Sequence, residues 1–301
     1  MAATILHNVD LYKYNTMRLH SNCKTMYVPH DVADLIEILK SLKKLGKQFH
    51  ILSAGSNIIF AEHVVTPIIN LMELDSTIDY SLGENQVKVG CSVRIQKLIK
   101  SNENFGIGGI EYLYSVPSSV GGAIYMNAGR GKSIGASISD YILEVEYLDI
   151  DELKIKTLKG TEGYSYRHSP FQEMYAIILK ASFKFREQSA KETERLIKER
   201  LDYSKKYLSA DKPSCGSVFI SYNPIIIRLI RGMKYGSAMF SKKTSNWISN
   251  IDNATANDIL HLVNKAKKIH SFFGFKCIPC LLYNLRAHET SLHLVCRLLL
   301  E

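Results

Sequence analysis

The chain has 301 residues, of which 46% are hydrophobic and 22% charged; it is long enough for two domains with a sizeable core and too apolar for general disorder. Its 38 Lys and Arg stand against 29 Asp and Glu, a net charge of +9 that favours anionic partners: nucleic acid, an anionic membrane or a small phosphorylated ligand. The sequence opens without a basic start and apolar run, holds no apolar stretch of bilayer-spanning length, and carries six cysteines that read as reduced thiols, so a cytoplasmic protein without a membrane partner is expected.

In chain order, residues 31–46 predict a helix: Asp31 can cap it, Val32, Leu35, Ile36, Leu39 and Leu42 recur at helical spacing, and Gly46 can end it. Residues 49–52 read as a buried strand, 87–91 alternate as a second strand, and 95–101 form a short helix. From 106 to 135 the chain is dense in glycine and shows no sustained period, and an irregular stretch of that length inside a domain points to function. Residues 142–148, 154–158 and 177–185 read as strands of an antiparallel sheet. The composition turns charged and helical over 187–207, which marks a domain boundary, and 255–273 is a second strong helix stopped by Gly274. The expectation is an α+β protein with one domain over 1–186 and another over 187–301. The basic runs at 40–47 and 265–268 fall on predicted helices as solvated faces, and no aromatic-basic stripe accompanies them, so nucleic acid is not an expected partner.

Two loops carry the chemistry. Ser53-Ala54-Gly55-Ser56-Asn57 follows a strand and has only small or polar side chains. Such a turn can bring several backbone N–H groups to a diphosphate, and the same composition also makes an ordinary tight turn. In the second loop Pro117 fixes one φ angle, while Gly121 and Gly122 open conformations closed to other residues. Ser118, Ser119, Ala123 and Ala128 are small enough for a flat ligand to lie on the main chain. Neither loop has the glycine spacing of a Rossmann turn or the lysine of a P-loop. Arg167, in the run Tyr166-Arg167-His168-Ser169, reads alone as a surface or structural ion pair, and Ser217 after Gly216 reads alone as part of a turn.

In order along the chain stand Gly55-Ser56-Asn57, GIGGIE at 106–111, VPSSVGGA at 116–123, MNAG at 126–129, YRHS at 166–169 with Phe171, PSCGSVF at 213–219, and Asn250 with Ala254-Thr255-Ala256 and Asp258. From about Thr16 to Gly274 this series resembles the UDP-N-acetylenolpyruvoylglucosamine reductases. The resemblance implies an FAD-binding domain of the vanillyl-alcohol-oxidase/p-cresol-methylhydroxylase type followed by a smaller α+β substrate-binding domain. It further implies non-covalent FAD, NADPH as hydride donor, a UDP-linked enolpyruvyl amino sugar as substrate, and UDP-N-acetylmuramate for peptidoglycan synthesis as product. On that resemblance Ser53, Ala54, Gly55, Ser56 and Asn57 cradle the diphosphate of FAD, and Pro117, Ser118, Ser119, Gly121, Gly122, Ala123 and Asn127 line the flavin. Arg167 binds the substrate carboxylate, Ser217 donates the proton to the carbanion carbon, and Tyr166 and Asn223 contact substrate. His168 is left with a structural role.

The pattern also breaks. Cys280 stands where the resemblance expects a catalytic glutamate, and a thiol, with a reference pKa of about 8.5 against about 4.3, cannot take over the carboxyl group's work. Ser53-Ala54 replaces two glycines, Ser118-Ser119 replaces Gly-Thr, and Thr244 stands where a histidine is common. A divergent FAD-binding paralogue with another substrate, or a catalytically silent one, is therefore the alternative. Cys277-x-x-Cys280 with His288 and His293 lacks zinc-finger spacing and is read as free thiols, so no metal is expected. Residues 282–301 match none of the motifs.

Overall fold

Asp31 adopts extended backbone and accepts the Asp34 N–H at 2.8 Å, which starts the first long helix, Val32–Lys44. Leu35, Ile38, Leu39 and Leu42 face inward from it, each leucine contributing about 2 kcal/mol of transfer free energy. Gly46, at φ +60°, turns the chain two residues beyond the helix end and donates to the Lys43 carbonyl. The computed structural model describes residues 3–130, 135–209, 211–280 and the backbone of 282–284.

The chain folds into two compact units and passes between them repeatedly. The first takes the chain up to Leu6, Met26–Ala54 and Ile68–Asp202; the second takes His7–Thr25, Gly55–Pro67 and the described chain from Tyr203.

In the first unit five strands form an antiparallel sheet in the order Lys154–Lys159, Ile142–Asp149, Ala176–Lys184, Gln86–Gly90, Ile78–Asp79. The register pairs Val145 with Ala181 and Ala181 with Val89. Ala176–Lys184 lies centrally, and its near-continuous apolar run, with Ile177, Leu179, Ala181 and Phe183 buried, fits a strand covered on both faces. Beside it, Met26 and Tyr27 pair in parallel with Ile68 and Ile69, which pair in parallel with His50 and Ile51. The Val32–Lys44 helix is the crossover from Asn22–Val28 to His50–Leu52, the two strands that flank Ile68–Asn70 on either side. Its inward face shares one core with the sheet and with Leu98 and Ile99 of the Ile95–Asn104 helix.

The stretch read as irregular from 106 contains short elements. They are the strand Ile107–Gly108, a 3-10 turn at Glu111–Leu113, the helix Val120–Tyr125 and the strand Gly129–Arg130. Residues 117–123 are therefore not wholly a loop, as their composition suggests, because the last four are helical. Ser119 caps them, and Val120, Ala123 and Ile124 bury at helical spacing despite the two glycines between.

In the second unit Ser214–Gly216, Trp247–Asn250, Ala238–Phe240 and Lys234–Tyr235 form a four-stranded antiparallel sheet in that order. The Ala256–Phe272 helix begins on a reciprocal cap, in which the Asp258 N–H donates to Thr255 Oγ1 and the Thr255 N–H to Asp258 Oδ2. Its Ile259, Leu262, Val263 and Ala266 share a core with Val218, Phe219, Phe240 and Ile248, and with Met17, Leu19 and Ile59 from early in the chain. Asn250, buried, ties the same pieces together by donating to the Met17 carbonyl at 2.9 Å and accepting the Ala254 N–H at 2.9 Å. Among the described residues no helix is long and apolar enough to cross a membrane.

Candidate active site

The Ser53–Asn57 turn leaves the parallel strand His50–Leu52 and enters Ile58–Phe60. Gly55 sits at φ +68°, and a Cβ there would lie 1.9 Å from the Tyr14 carbonyl oxygen, so only glycine fits. Its own carbonyl accepts the Thr16 N–H at 3.1 Å. The N–H groups of Ala54, Gly55 and Ser56 donate to no acceptor among the described residues, although Gly55 is buried. Buried N–H groups are nearly always paired, so that of Gly55, with no acceptor among the described residues and with the half-buried Ala54 and Ser56 on either side, suits an anion such as a diphosphate. Asn57 Nδ2 donates to the Cys280 carbonyl at 3.0 Å.

The second loop meets the first through hydroxyls. Ser53 Oγ and Ser119 Oγ, 66 residues apart, share a short hydrogen bond. Ser119 Oγ also accepts the Gly122 N–H at 3.2 Å, and Ser118 Oγ donates to the Ser119 carbonyl at 2.9 Å. An added Cβ on Gly122 would stand 3.2–3.7 Å from the hydroxyls of Ser118, Ser119 and Ser53, so the surface at Gly122 is framed by three serines. The loop is pinned from behind: Val120 and Gly121 donate to the carbonyls of Val93 and Cys91, and Gln96 Nε2 donates to those of Tyr114 and Val116. Pro117 is exposed and Ala123 is buried. Asn127, at φ +40°, is buried, and its amide is spent inside the protein, donating to the Ser165 carbonyl at 2.8 Å and accepting the Ser139 N–H at 3.3 Å.

Also in the first unit, Ser165 and His168 exchange backbone hydrogen bonds of 3.1 Å each way, closing a tight turn with Tyr166 and Arg167 at its tip. Arg167 takes φ +60°, and its guanidinium carbon lies 5.7 Å from the centre of the exposed Tyr166 ring. His168 bonds the Gly163 carbonyl and Glu173 at 3.1 Å each, in keeping with a structural role. Gln172, which no sequence signal marked, reaches both the Arg167 and Tyr125 carbonyls.

In the second unit Ser217 is half-buried at the end of Ser214–Gly216. A Cβ on Gly216 would stand 2.1 Å from the Trp247 indole, so that ring lies directly on the Gly216 main chain. Beyond Ser217 the buried Asn246 brackets the strand, its carbonyl accepting the Val218 N–H and its side chain exchanging two bonds with Phe219. Asn246 also escaped the sequence reading, since a lone asparagine before a tryptophan has no signature. Cys280 is buried and donates its N–H to the Val218 carbonyl at 2.7 Å, which puts it beside the residue after Ser217. Asn223 caps the Pro224–Leu229 helix by accepting the N–H groups of Ile225 and Ile226. Thr244 Oγ1 donates to the Tyr207 carbonyl. Burial pushes the thiols of Cys91, Cys215 and Cys277 up to about 12, so none offers a ready thiolate. Among the described residues no cluster of three His, Cys, Asp or Glu could hold a metal; His288 and His293 lie outside them.

The sheet domain in which Ser53 meets Ser119 falls, by the matches that follow, in the class of flavoprotein oxidoreductases. Residues 24–157 match the FAD binding domain family, and residues 208–276 match the C-terminal domain of UDP-N-acetylenolpyruvoylglucosamine reductase. The UDP-N-acetylenolpyruvoylglucosamine reductase of Francisella tularensis is 34% identical over 272 residues, 86% of this chain and 93% of the relative. That of Fusobacterium nucleatum is 31% identical over 285 residues, 90% and 96%. The crystal structure of the Thermus caldophilus UDP-N-acetylenolpyruvylglucosamine reductase has the same fold, with TM-score 0.74 at 22% identity over 94% of this chain and 99% of that one. The chain belongs to the UDP-N-acetylenolpyruvoylglucosamine reductase family.

Proposed function

We propose that the chain uses NADPH to reduce the enolpyruvyl C=C bond of UDP-N-acetylglucosamine enolpyruvate, forming UDP-N-acetylmuramate in the cytoplasm for peptidoglycan synthesis. The observation that carries the reading is the meeting of Ser53 and Ser119, which brings two small-residue loops to one place in a domain matched to FAD binding. FAD, when bound non-covalently, supplies the hydride-transfer chemistry. The N–H run at Ala54–Ser56, with Ser53 and Asn57, holds its diphosphate, and the surface from Pro117 through Ser118, Ser119, Gly121 and Gly122 to Ala123 receives the ring. Asn127, with its amide engaged, shapes that surface through its backbone.

On the substrate side Arg167 pairs with the carboxylate, where a planar guanidinium can make two parallel hydrogen bonds. As hydride adds at C3 of the enolpyruvyl group, negative charge spreads from C2 onto the carboxylate oxygens, and Arg167 stabilises it there. Ser217 gives its proton to C2. Tyr166 flanks the guanidinium, and Asn223 orders the start of its helix near the substrate-binding part of the chain, which we place from about residue 187 onward. A hydroxyl is a poor acid, so Ser217 depends on neighbours, and the thiol of Cys280 is a weak one. That single residue favours a second reading, a flavoprotein of this family that acts on another substrate or not at all.

Spectra of the purified protein separate the readings. The proposal expects a yellow protein that bleaches with NADPH under anaerobic conditions and regains its colour on adding UDP-N-acetylglucosamine enolpyruvate. Bleaching without recovery selects another substrate, and failure to bleach selects a silent protein. Cys280→Glu is expected to raise the recovery rate; an unchanged rate removes Cys280 as the weak point.

A further inference from the structure

We propose that Gln172, acting with Asn127, is a positioning residue that holds Arg167 in the orientation needed to grip the substrate carboxylate. The inference rests on the role proposed for Arg167 and concerns how the fold keeps that residue in place.

Arg167 sits in the left-handed region at φ +60°, which side chains other than glycine and asparagine rarely adopt. Left to itself, an arginine at the tip of a tight turn relaxes to negative φ, and its guanidinium swings with the backbone. Strained conformations of this kind persist where the surroundings over-determine them. The two carbonyls that flank the tip are both held. Ser165 O accepts from Asn127 Nδ2 at 2.8 Å, and Arg167 O accepts from Gln172 Nε2 at 3.1 Å.

Each clamp is anchored to the same short segment. Gln172 Nε2 also donates to the Tyr125 carbonyl at 2.8 Å, where Ser169 Oγ donates as well. Asn127 follows two residues later, itself at φ +40° and fixed by the Ser139 N–H. Tyr125 ends the helix that Ser119 caps. The segment that finishes the proposed flavin loop therefore also holds the arginine turn, and the placement of Arg167 is tied to that loop through two amide side chains.

The test compares Gln172→Leu, close in size and unable to donate, with Gln172→Lys, which keeps a donor at similar reach. Gln172→Leu is expected to raise KM for the enolpyruvyl sugar nucleotide by about tenfold or more, because a small misplacement of a binding group is costly. Bound FAD and the rate of bleaching by NADPH stay unchanged, and Gln172→Lys restores KM. In an Arg167→Ala background the further Gln172→Leu change leaves KM where it is, since the two act as one unit. An equal KM increase in both backgrounds, or none in the parent, overturns the proposal. An arginine-specific protease gives a readout independent of turnover: cleavage after Arg167 should quicken several-fold in Gln172→Leu and not at other arginines, and an unchanged rate also overturns it. Were the parent inactive on this nucleotide, the proposed function would fall while the cleavage rate still decided whether Gln172 holds Arg167.

Discussion

Gly55 is where a single atom decides most. A methyl group there would occupy the space of the Tyr14 carbonyl oxygen, and the left-handed backbone adds its own penalty for alanine. Gly55→Ala is expected to cost more than about 2 kcal/mol in denaturant unfolding and to abolish retention of FAD on purification; a stable, yellow variant would show that the turn has another resting shape. The small-residue character of this turn was legible in the sequence. Its partner was not, because nothing in a string of letters says that Ser53 will meet Ser119 and not some other hydroxyl. Gln172 and Asn246 were equally silent: each acts through main-chain groups of other residues, and those belong to every residue alike. Asn223 carried a signal that pointed elsewhere, since an asparagine before proline and an apolar run is also a good helix cap.

At the scale of elements, legibility followed burial on one face. The helices Val32–Lys44 and Ala256–Phe272 were read to within two residues because their apolar stripes sit between a capping residue and a glycine. The strands Ile142–Asp149, Lys154–Lys159 and Ala176–Lys184 were read as well, by β-rich composition. The Val120–Tyr125 helix was missed because Gly121 and Gly122, poor helix formers, occupy a third of it, and it stands on tertiary contacts and on its cap. That dependence makes Ser119 the sensitive point of the element. Ser119→Ala removes the acceptor for the Gly122 N–H and the bond to Ser53 in one change. A loss of about 1–2 kcal/mol in stability is expected, with weaker FAD binding by fluorescence titration. Wild-type affinity in this variant would mean that the contact between the loops does not shape the flavin surface.

For the whole molecule, acid sensitivity follows from His50, whose Nε2 is buried without a hydrogen-bond partner among the described residues and whose pKa burial lowers to about 4. The unfolded chain takes up this proton near pH 6.5 while the folded one resists until about 4. Between those values the unfolded state binds more protons, so stability is full above pH 6.5 and falls as pH drops toward 4, by up to about 3 kcal/mol. Melting temperatures from pH 7.5 to 4.5 should decline more steeply for the parent than for His50→Leu; parallel curves would count against His50 as the cause. The division of the chain into units was the least legible feature, because a boundary read near residue 187 presumes that each unit is one stretch, whereas the second gathers residues 7–25 and 55–67 as well. The interleaving has a consequence during synthesis. Met17, Leu19 and Ile59 leave the ribosome early, and their core partners from Cys215 to Ala266 arrive more than 150 residues later. At about 5–20 residues per second that is a wait of roughly ten to thirty seconds before these side chains can enter their core. The second core can therefore close only when the Ala256–Phe272 helix, nearly the last element to be made, has left the ribosome.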